Sequence, residues 1–478
     1  MTLLTIFSNN GILLSMKKTS FLKINITLPL AFGLFSCIIF CCASNKNIYK
    51  DIDHAVEGNN FPNAVNVIKQ SQETGKPIYS EKNAIMLFLD KGLLEHYAGD
   101  YSASSNSLQE AERLIEDAYT KSITADITSY MVNDNVKEYP GEDFEDIYIN
   151  VFNALNFYKK GDIDGALVEI RKLTMTNKKL DTLEEKYADM NSGAVKDVFA
   201  KLLSLGFSEQ PDIPKGSPVN FSNSALARYL SYLFYLGDGK EDSARIELKQ
   251  LEAAFASNPK IYYNPYPGSI AEINSVPNNK ARLNIIGFTG LSPIKQEVKY
   301  NQVFPFFENL VLRYPQFKLP KLFKRPSQID RIEVVINGKD KIDLELLEDM
   351  GAVIEETYNA SFSRIFLKTY IRTMLKYALI DIAAVEAKKY AKSDIAAITA
   401  VASALAAKTA FDASESADVR MTRYLPDKAY IGGINLDPGT YKVTVNFYSG
   451  SSAISKIEYN DVQVMGKNVN IIEAVSLK

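Results

Sequence analysis

Read as a pattern of apolar and polar positions, the chain changes period several times. A nearly continuous apolar run, Leu28 to Phe40, follows Lys17, Lys18 and Lys23. Between roughly Asn47 and Phe255 apolar residues recur about every 3.6 positions among good helix formers, as on helices that turn one side to a core. That period stops at Pro259, and a Pro- and Tyr-rich stretch, Ile261 to Gly268, follows. Apolar residues then run together from Ala281 to a glycine turn at Gly290, and Arg331 to Ile336 leads into Asn337-Gly338; both read as strands. The helical period returns from Leu344 to Phe411, dominated by small residues between Ile380 and Ala410. In the tail Pro438-Gly439 makes a turn, after which Tyr441, Val443 and Val445 alternate onto one strand face. Ile457 to Tyr459 and Val469 to Ile472 are further candidate strands.

Within the first helical stretch a short motif recurs: Asn59-Asn60-Phe61-x-x-Ala64, Gly99-Asp100-Tyr101-x-x-Ser104, Gly161-Asp162-Ile163-x-x-Ala166 and Gly239-Lys240-Glu241-x-x-Ala244. An aliphatic residue follows each: Ile68, Leu108, Ile170 and Leu248. Gly or Asn supplies backbone freedom at a turn, and the small residue lets a second helix lie close to the first. The pattern resembles the helix-to-helix turn of tetratricopeptide (TPR) repeats, but the turns stand farther apart than the roughly 34 residues of that family. Extra helices or loops are expected around Thr124–Gly141 and Gly193–Phe221. Repeat helices bind peptides and partner helices, so Phe157, Tyr158, Tyr232 and Tyr235 are candidates for a partner groove, with helix-packing core as the plainer reading. The expected fold class is mainly α with an α+β C-terminal part. It comprises an irregular TPR-like α-solenoid and a small β-sandwich-like domain interrupted by a long Ala-rich helical segment.

The apolar run after the lysines has the length of a signal-peptide h-region and is shorter than the roughly 20 residues needed to span a bilayer. Residues 1–41 are expected to be a signal peptide whose natural start is Met16. The three cysteines, Cys37, Cys41 and Cys42, all sit at its end, and no cysteine follows. The later chain therefore has no internal disulfide, thiol nucleophile or thiolate metal site. The spacing resembles a relaxed lipobox of the kind found in spirochaetes and related bacteria. Cys42 is the preferred lipidation site, because Ile39-Phe40-Cys41 ends the apolar run and polar residues follow it; Cys37, after Leu34-Phe35-Ser36, is the alternative. Expected domains are 42–258, a TPR-like helical repeat domain; 259–280, a linker; and 281–478, an α+β domain. The last carries strands at 281–340 and 428–478 and helices at 344–411. The Ala-rich stretch 380–410 reads as close-packed helices, or alternatively as an interfacial or membrane-inserted segment whose apolar run Asp381, Glu386, Lys388, Lys389, Lys392 and Asp394 break.

The tail reads Ala417-Asp418-Val419-Arg420, Leu425-Pro426 and Leu436-Asp-Pro-Gly-Thr-Tyr441. It resembles a family of uncharacterised bacterial lipoproteins that join repeat helices to such a tail. Tyr139–Glu145, with Val168, Glu169 and Arg171, matches the same family. The family usually carries a tryptophan after the arginine, where Met421 and Thr422 stand here, and the resemblance implies no activity. Asp418 and Arg420 are read as a structural ion pair holding the long helix to the tail, or as a recognition pair.

Composition narrows the chemistry. With 46% hydrophobic and 23% charged residues over 478 positions the bulk is globular, and a net charge of −3 disfavours nucleic acid. His54 and His96 are the only histidines. No nucleophile elbow, phosphate loop, dinucleotide fingerprint or zinc-protease motif occurs, so no catalytic, cofactor-binding or metal residue is assigned. The densest acidic cluster, Glu142, Asp143, Glu145 and Asp146, is read as a helix start with Asp143 as a possible cap, in preference to carboxylate catalysis. The function expected is a non-catalytic protein-interaction scaffold, lipid-anchored in the cell envelope, by default at the outer membrane facing the periplasm. Its partner would be a protein or peptide; peptidoglycan or its synthesis machinery is the alternative, and a carboxylate-dependent hydrolase the least favoured.

Overall fold

In the computed structural model, residues 48–123, 133–173, 223–301, 315–466 and 469–478 are described. The signal segment with Cys37 and Cys42, the first half of Thr124–Gly141 and all of Gly193–Phe221 lie outside them. Four helical hairpins come first: α1 (Lys50–Glu57) with α2 (Phe61–Glu73), α3 (Ala84–Tyr97) with α4 (Tyr101–Ile123), α5 (Asp143–Lys159) with α6 (residues 163–173), and α7 (Ala225–Gly237) with α8 (Glu241–Ser257). Their turns are built alike. Asn59, Gly99, Gly161 and Gly239 all have positive φ, between 55° and 82°. The next residue in each case donates its N–H to the carbonyl five positions back: Asn60 to Ala55, Asp100 to Glu95, Asp162 to Phe157 and Lys240 to Tyr235. This is the closure that satisfies orphan carbonyls where a left-handed residue ends a helix. The small residues Ala64, Ser104, Ala166 and Ala244 are all buried, as their place in the motif requires.

Among the described residues, nine strands form two sheets that face each other. β1 (Ala281–Asn301) pairs antiparallel with β6 (Pro426–Leu436), parallel with β9 (Asn470–Ser476) and, in its second half, antiparallel with β2 (Gln316–Arg325); β5 (Glu345–Asp349) extends β6. The second sheet runs β4 (Asp340–Asp343), β3 (Arg331–Ile336), β7 (Gly439–Ser449), β8 (Ser452–Val464). β3 and β4 are joined by Asn337, Gly338 and Lys339; Asn337 and Gly338 are at positive φ, and the Lys339 N–H donates to the Ile336 carbonyl oxygen. Strand alternation divides the first sheet between two cores. Leu283, Ile285, Tyr430 and Ile472 meet Ile332, Val334, Val443, Val445 and Phe447 of the second sheet, whereas Ile286, Phe288, Ile431 and Ile471 turn to the helices. The first sheet is thus a middle layer between helices and the second sheet. The predicted sandwich and its Tyr441, Val443, Val445 face are present, inserted with two helices, α9 (Met350–Lys389) and α10 (Asp394–Ser414). The fold is mixed α+β.

Two expectations are corrected. The helical repeats and the α+β part are not separate domains: Tyr49–Lys478 is one compact unit, because the apolar face of β1, β6 and β9 completes the helical core. Residues 259–280 do not behave as a linker either. Ile261, Tyr262 and Ile270 are buried, and the Tyr262 hydroxyl donates to the Asn223 carbonyl oxygen and to Glu348.

Candidate functional site

The tail segment Ala417–Pro426 threads between the helices and the first sheet, and buried polar groups gather around it in one connected network. Helix α3 is mostly apolar, yet it carries Asp90, Glu95 and His96, all buried. The Asp90 carboxylate accepts the Thr422 hydroxyl at 2.9 Å, the Arg423 N–H at 2.7 Å and the Tyr79 hydroxyl at 2.8 Å. Glu145, on the first turn of α5, accepts the Thr422 N–H at 2.6 Å, the Tyr139 hydroxyl at 2.8 Å and the Glu142 N–H at 2.7 Å. Two carboxylates from two helices therefore hold consecutive backbone amides of the tail. Tyr97 donates to the Tyr424 carbonyl oxygen, while Arg423 and the Tyr424 hydroxyl both reach Asp53 of α1.

Electrostatics follow from burial. Desolvation pushes the Asp90 carboxyl up to about 6, against the pull of its hydrogen bonds to Arg423, Tyr79 and Thr422. Desolvation, with the nearby Glu142 charge, pushes Glu145 up to about 8. Raised carboxyls are a common mark of catalytic acids. Here both groups are enclosed, and the cavity beside Glu145, lined also by Leu89, Tyr148 and Thr422, is about 10 Å³, at most one water. The arrangement can hold a chain segment and a proton.

Asp418 and Arg420 stand at the entry to this clasp. The guanidinium forks onto Asp418 with two bonds of 2.8 Å and also donates to the carbonyl oxygens of Lys137 and Asp134. Burial would raise the Asp418 carboxyl, but the paired Arg420 holds it below the usual range. A side chain committed to one carboxylate and two main-chain carbonyls is a brace between the tail and the segment before α5. The same network explains the acidic cluster, with one correction. The cap of α5 is Glu142, not Asp143: the Glu142 N–H is satisfied by Glu145, and Lys295 of β1 pairs with the Glu142 carboxylate.

Two further buried carboxylates fasten the sheet to the helices. Glu348 of β5, pushed up by burial, accepts from the hydroxyls of Tyr148, Ser224 and Tyr262 and from the Leu226 N–H at the start of α7. Glu473 of β9 lies 2.6 Å from His96 Nε2, and Asn156 Oδ1 lies 2.7 Å from Nδ1. Asn156 Nδ2 donates to Ser104 Oγ, so its oxygen faces the ring. Both ring nitrogens thus lie against side-chain oxygens, and His96 holds the Glu473 carboxyl below its ordinary range against desolvation.

The candidate groove is not an open surface. Tyr232 is buried and donates to Asn274, and the Tyr158 hydroxyl donates to the Val469 carbonyl oxygen and accepts the Ile471 N–H. Phe157, beneath Lys160 Nζ at 4.0 Å, and Tyr235 are half-buried against the same core. Tyr158 is thus held by Val469 and by Ile471 of β9, while Tyr232 is held by Asn274. Sequence reading missed Asp90, Glu145 as a clasp, Glu348 and Glu473. Asp90 and Glu473 carried a signal, an acid inside the mostly apolar runs Ala84–Leu94 and Asn470–Ser476; Glu145 and Glu348 stand among other acids and carried none.

Among the described residues no three His, Cys, Asp or Glu side chains gather as metal ligands. No family model, curated protein or solved structure matches the chain.

Proposed function

We propose that the protein is an exported, lipid-anchored scaffold of the cell envelope that works by holding a protein partner and not by catalysis. The anchor is the acylated Cys42, or Cys37, that the lysine-led apolar run and its polar exit suggest. The helical part is read as an irregular TPR-like array. One observation supports this most directly: four turns of the same closure, each with a buried small residue at the same offset, as repeat helices require. The use of the strongest polar cluster in bracing the chain's own tail fits a body built for rigidity. The partner is expected on the outer surfaces of the helices and sheet, since Tyr158 and Tyr232 are committed to the chain's own Val469, Ile471 and Asn274.

Mass spectrometry of the mature N-terminal peptide should find diacylglycerol on Cys42 or Cys37; an unmodified, cytosolic chain would defeat the envelope assignment. Crosslinking in intact envelopes should return one reproducible protein partner, lost when exposed side chains of α2, α4 or α8 are charge-reversed. Failure to recover any partner while the anchor is present would remove the scaffold role alone.

A further inference from the structure

Among the described residues, exposed large apolar side chains are concentrated on α9 and α10. At its root the hairpin is firmly held: Tyr377 meets Phe411 edge-on at 5.6 Å and donates to Asp412, and Lys318 of β2 donates to the carbonyl oxygens of Asp412 and Glu415. Ala384 and Ala404, both buried, carry the packing outward. Beyond them nothing described covers α10. Ile395 is 77% exposed, Ile398 68% and Leu405 47%, and only 11% of the helix's apolar window is buried.

A helix exposed to water normally keeps a polar face, and one apolar all round belongs in a core or in lipid. From Ile395 through Ala407 α10 carries no charged residue. Even its hydroxyls turn inward: Thr399 donates to the Ile395 carbonyl oxygen, Ser403 to Thr399 and Thr409 to Leu405. A second copy packing on this face in water would ordinarily be flanked by charged residues that set the pairing, and this stretch has none. The tip between the helices has complementary chemistry for a membrane surface, with Lys388, Lys389 and Lys392 around Tyr390, which is 71% exposed. Tyrosine and lysine together suit the headgroup layer, the ring at the boundary and the ammonium groups on phosphates. The 21 residues of α10 would reach across a hydrocarbon core of roughly 30 Å, but Asp381 and Glu386 travel beside them on α9.

We propose that the α9–α10 hairpin is a second membrane contact: it lies in the interface of an anionic bilayer, with the Ile395, Ile398, Ala402 and Leu405 face of α10 in the acyl region and the tip lysines on lipid phosphates. The inference goes beyond the scaffold reading and does not depend on acylation. It explains why an apolar helix stands out from an otherwise well-covered body.

The test uses the full chain with Cys37, Cys41 and Cys42 changed to Ser, which removes the acyl acceptors and all native thiols. One fluorophore is placed at Ala402→Cys, or at Lys456→Cys on exposed β8 as the control. Vesicles combine phosphatidylglycerol with phosphatidylcholine brominated on its acyl chains. Quenching at position 402 and not at 456 is expected, abolished by Ile398→Asp with Leu405→Asp while the thermal melt is unchanged. Changing Lys388, Lys389 and Lys392 together to Gln should weaken hairpin insertion about tenfold or more. Vesicle-bound protein without quenching at 402 would overturn the proposal, as would equal quenching at both positions. Shielding of position 402 without vesicles, with a doubled mass, would overturn it in favour of a second copy.

Discussion

Arg420 shows how one side chain sets local order. Removing it as Arg420→Ala strips two carbonyls and the half-buried Asp418 of their donor at once, and is expected to cost about 2–4 kcal/mol in chemical denaturation. Arg420→Lys should recover little of that, because a point charge cannot reproduce the planar fork. Glu145 gives the pH dependence. Its carboxyl is raised from the ordinary 4.5 to about 8 in the folded chain, so the folded state keeps a proton that the unfolded state releases. The stabilisation is complete below about pH 4.5 and is lost as pH rises through about 8. Denaturation midpoints between pH 5 and pH 8.5 should fall with rising pH, and Glu145→Gln should flatten that slope. A slope unchanged in the variant would mean that another group holds the proton. His96→Leu leaves the buried Glu473 carboxylate without its hydrogen-bond partner at 2.6 Å and should destabilise by about 1–3 kcal/mol in chemical denaturation.

At the scale of elements, the helical turns and the sheet interface use glycine for different reasons. Gly161 has a φ of 78° and open space where a Cβ would stand, so Gly161→Ala pays only for the left-handed backbone, about 1–2 kcal/mol in a thermal melt. Gly287 of β1 faces the second sheet, and a Cβ there would lie 2.5 Å from Ile332 Cδ1 and 3.0 Å from Leu344 Cδ1. Gly287→Ala must push the sheets apart or force rotamers, costing about 1–3 kcal/mol. Comparing the two separates conformational strain from overpacking. The recurring turns were legible because backbone sterics act locally; the Gly287 constraint was not, because its cause lies on strands distant in sequence.

At the scale of the whole molecule, the helices and strands share one hydrophobic core, with Ile286, Phe288, Ile431 and Ile471 among its members. Unfolding should therefore be a single transition, with far-ultraviolet circular dichroism and tyrosine fluorescence coinciding across a urea series. A fragment ending at Asn258 would expose that core and should show neither a cooperative melt nor protected amides. An independently folding fragment would mean that the clasp at Thr422 and Arg423 adds little. Detecting two transitions in the intact chain would carry the same meaning.

The sequence by itself determined the helical hairpins and their turns, the strands at Arg331–Ile336 and Gly439–Ser449, and the face on which Tyr441, Val443 and Val445 lie. These depend on steric limits and on periods of 3.6 and 2, which operate between near neighbours. Only the tertiary structure decided that Ile261, Tyr262 and Ile270 are buried, that Tyr158 is held by Val469 and Ile471, and that Asp90 and Glu145 grip the tail. Each of these joins residues far apart in the chain, and what selects them is the apolar area a sheet must cover and the cost of burying an unpaired charge.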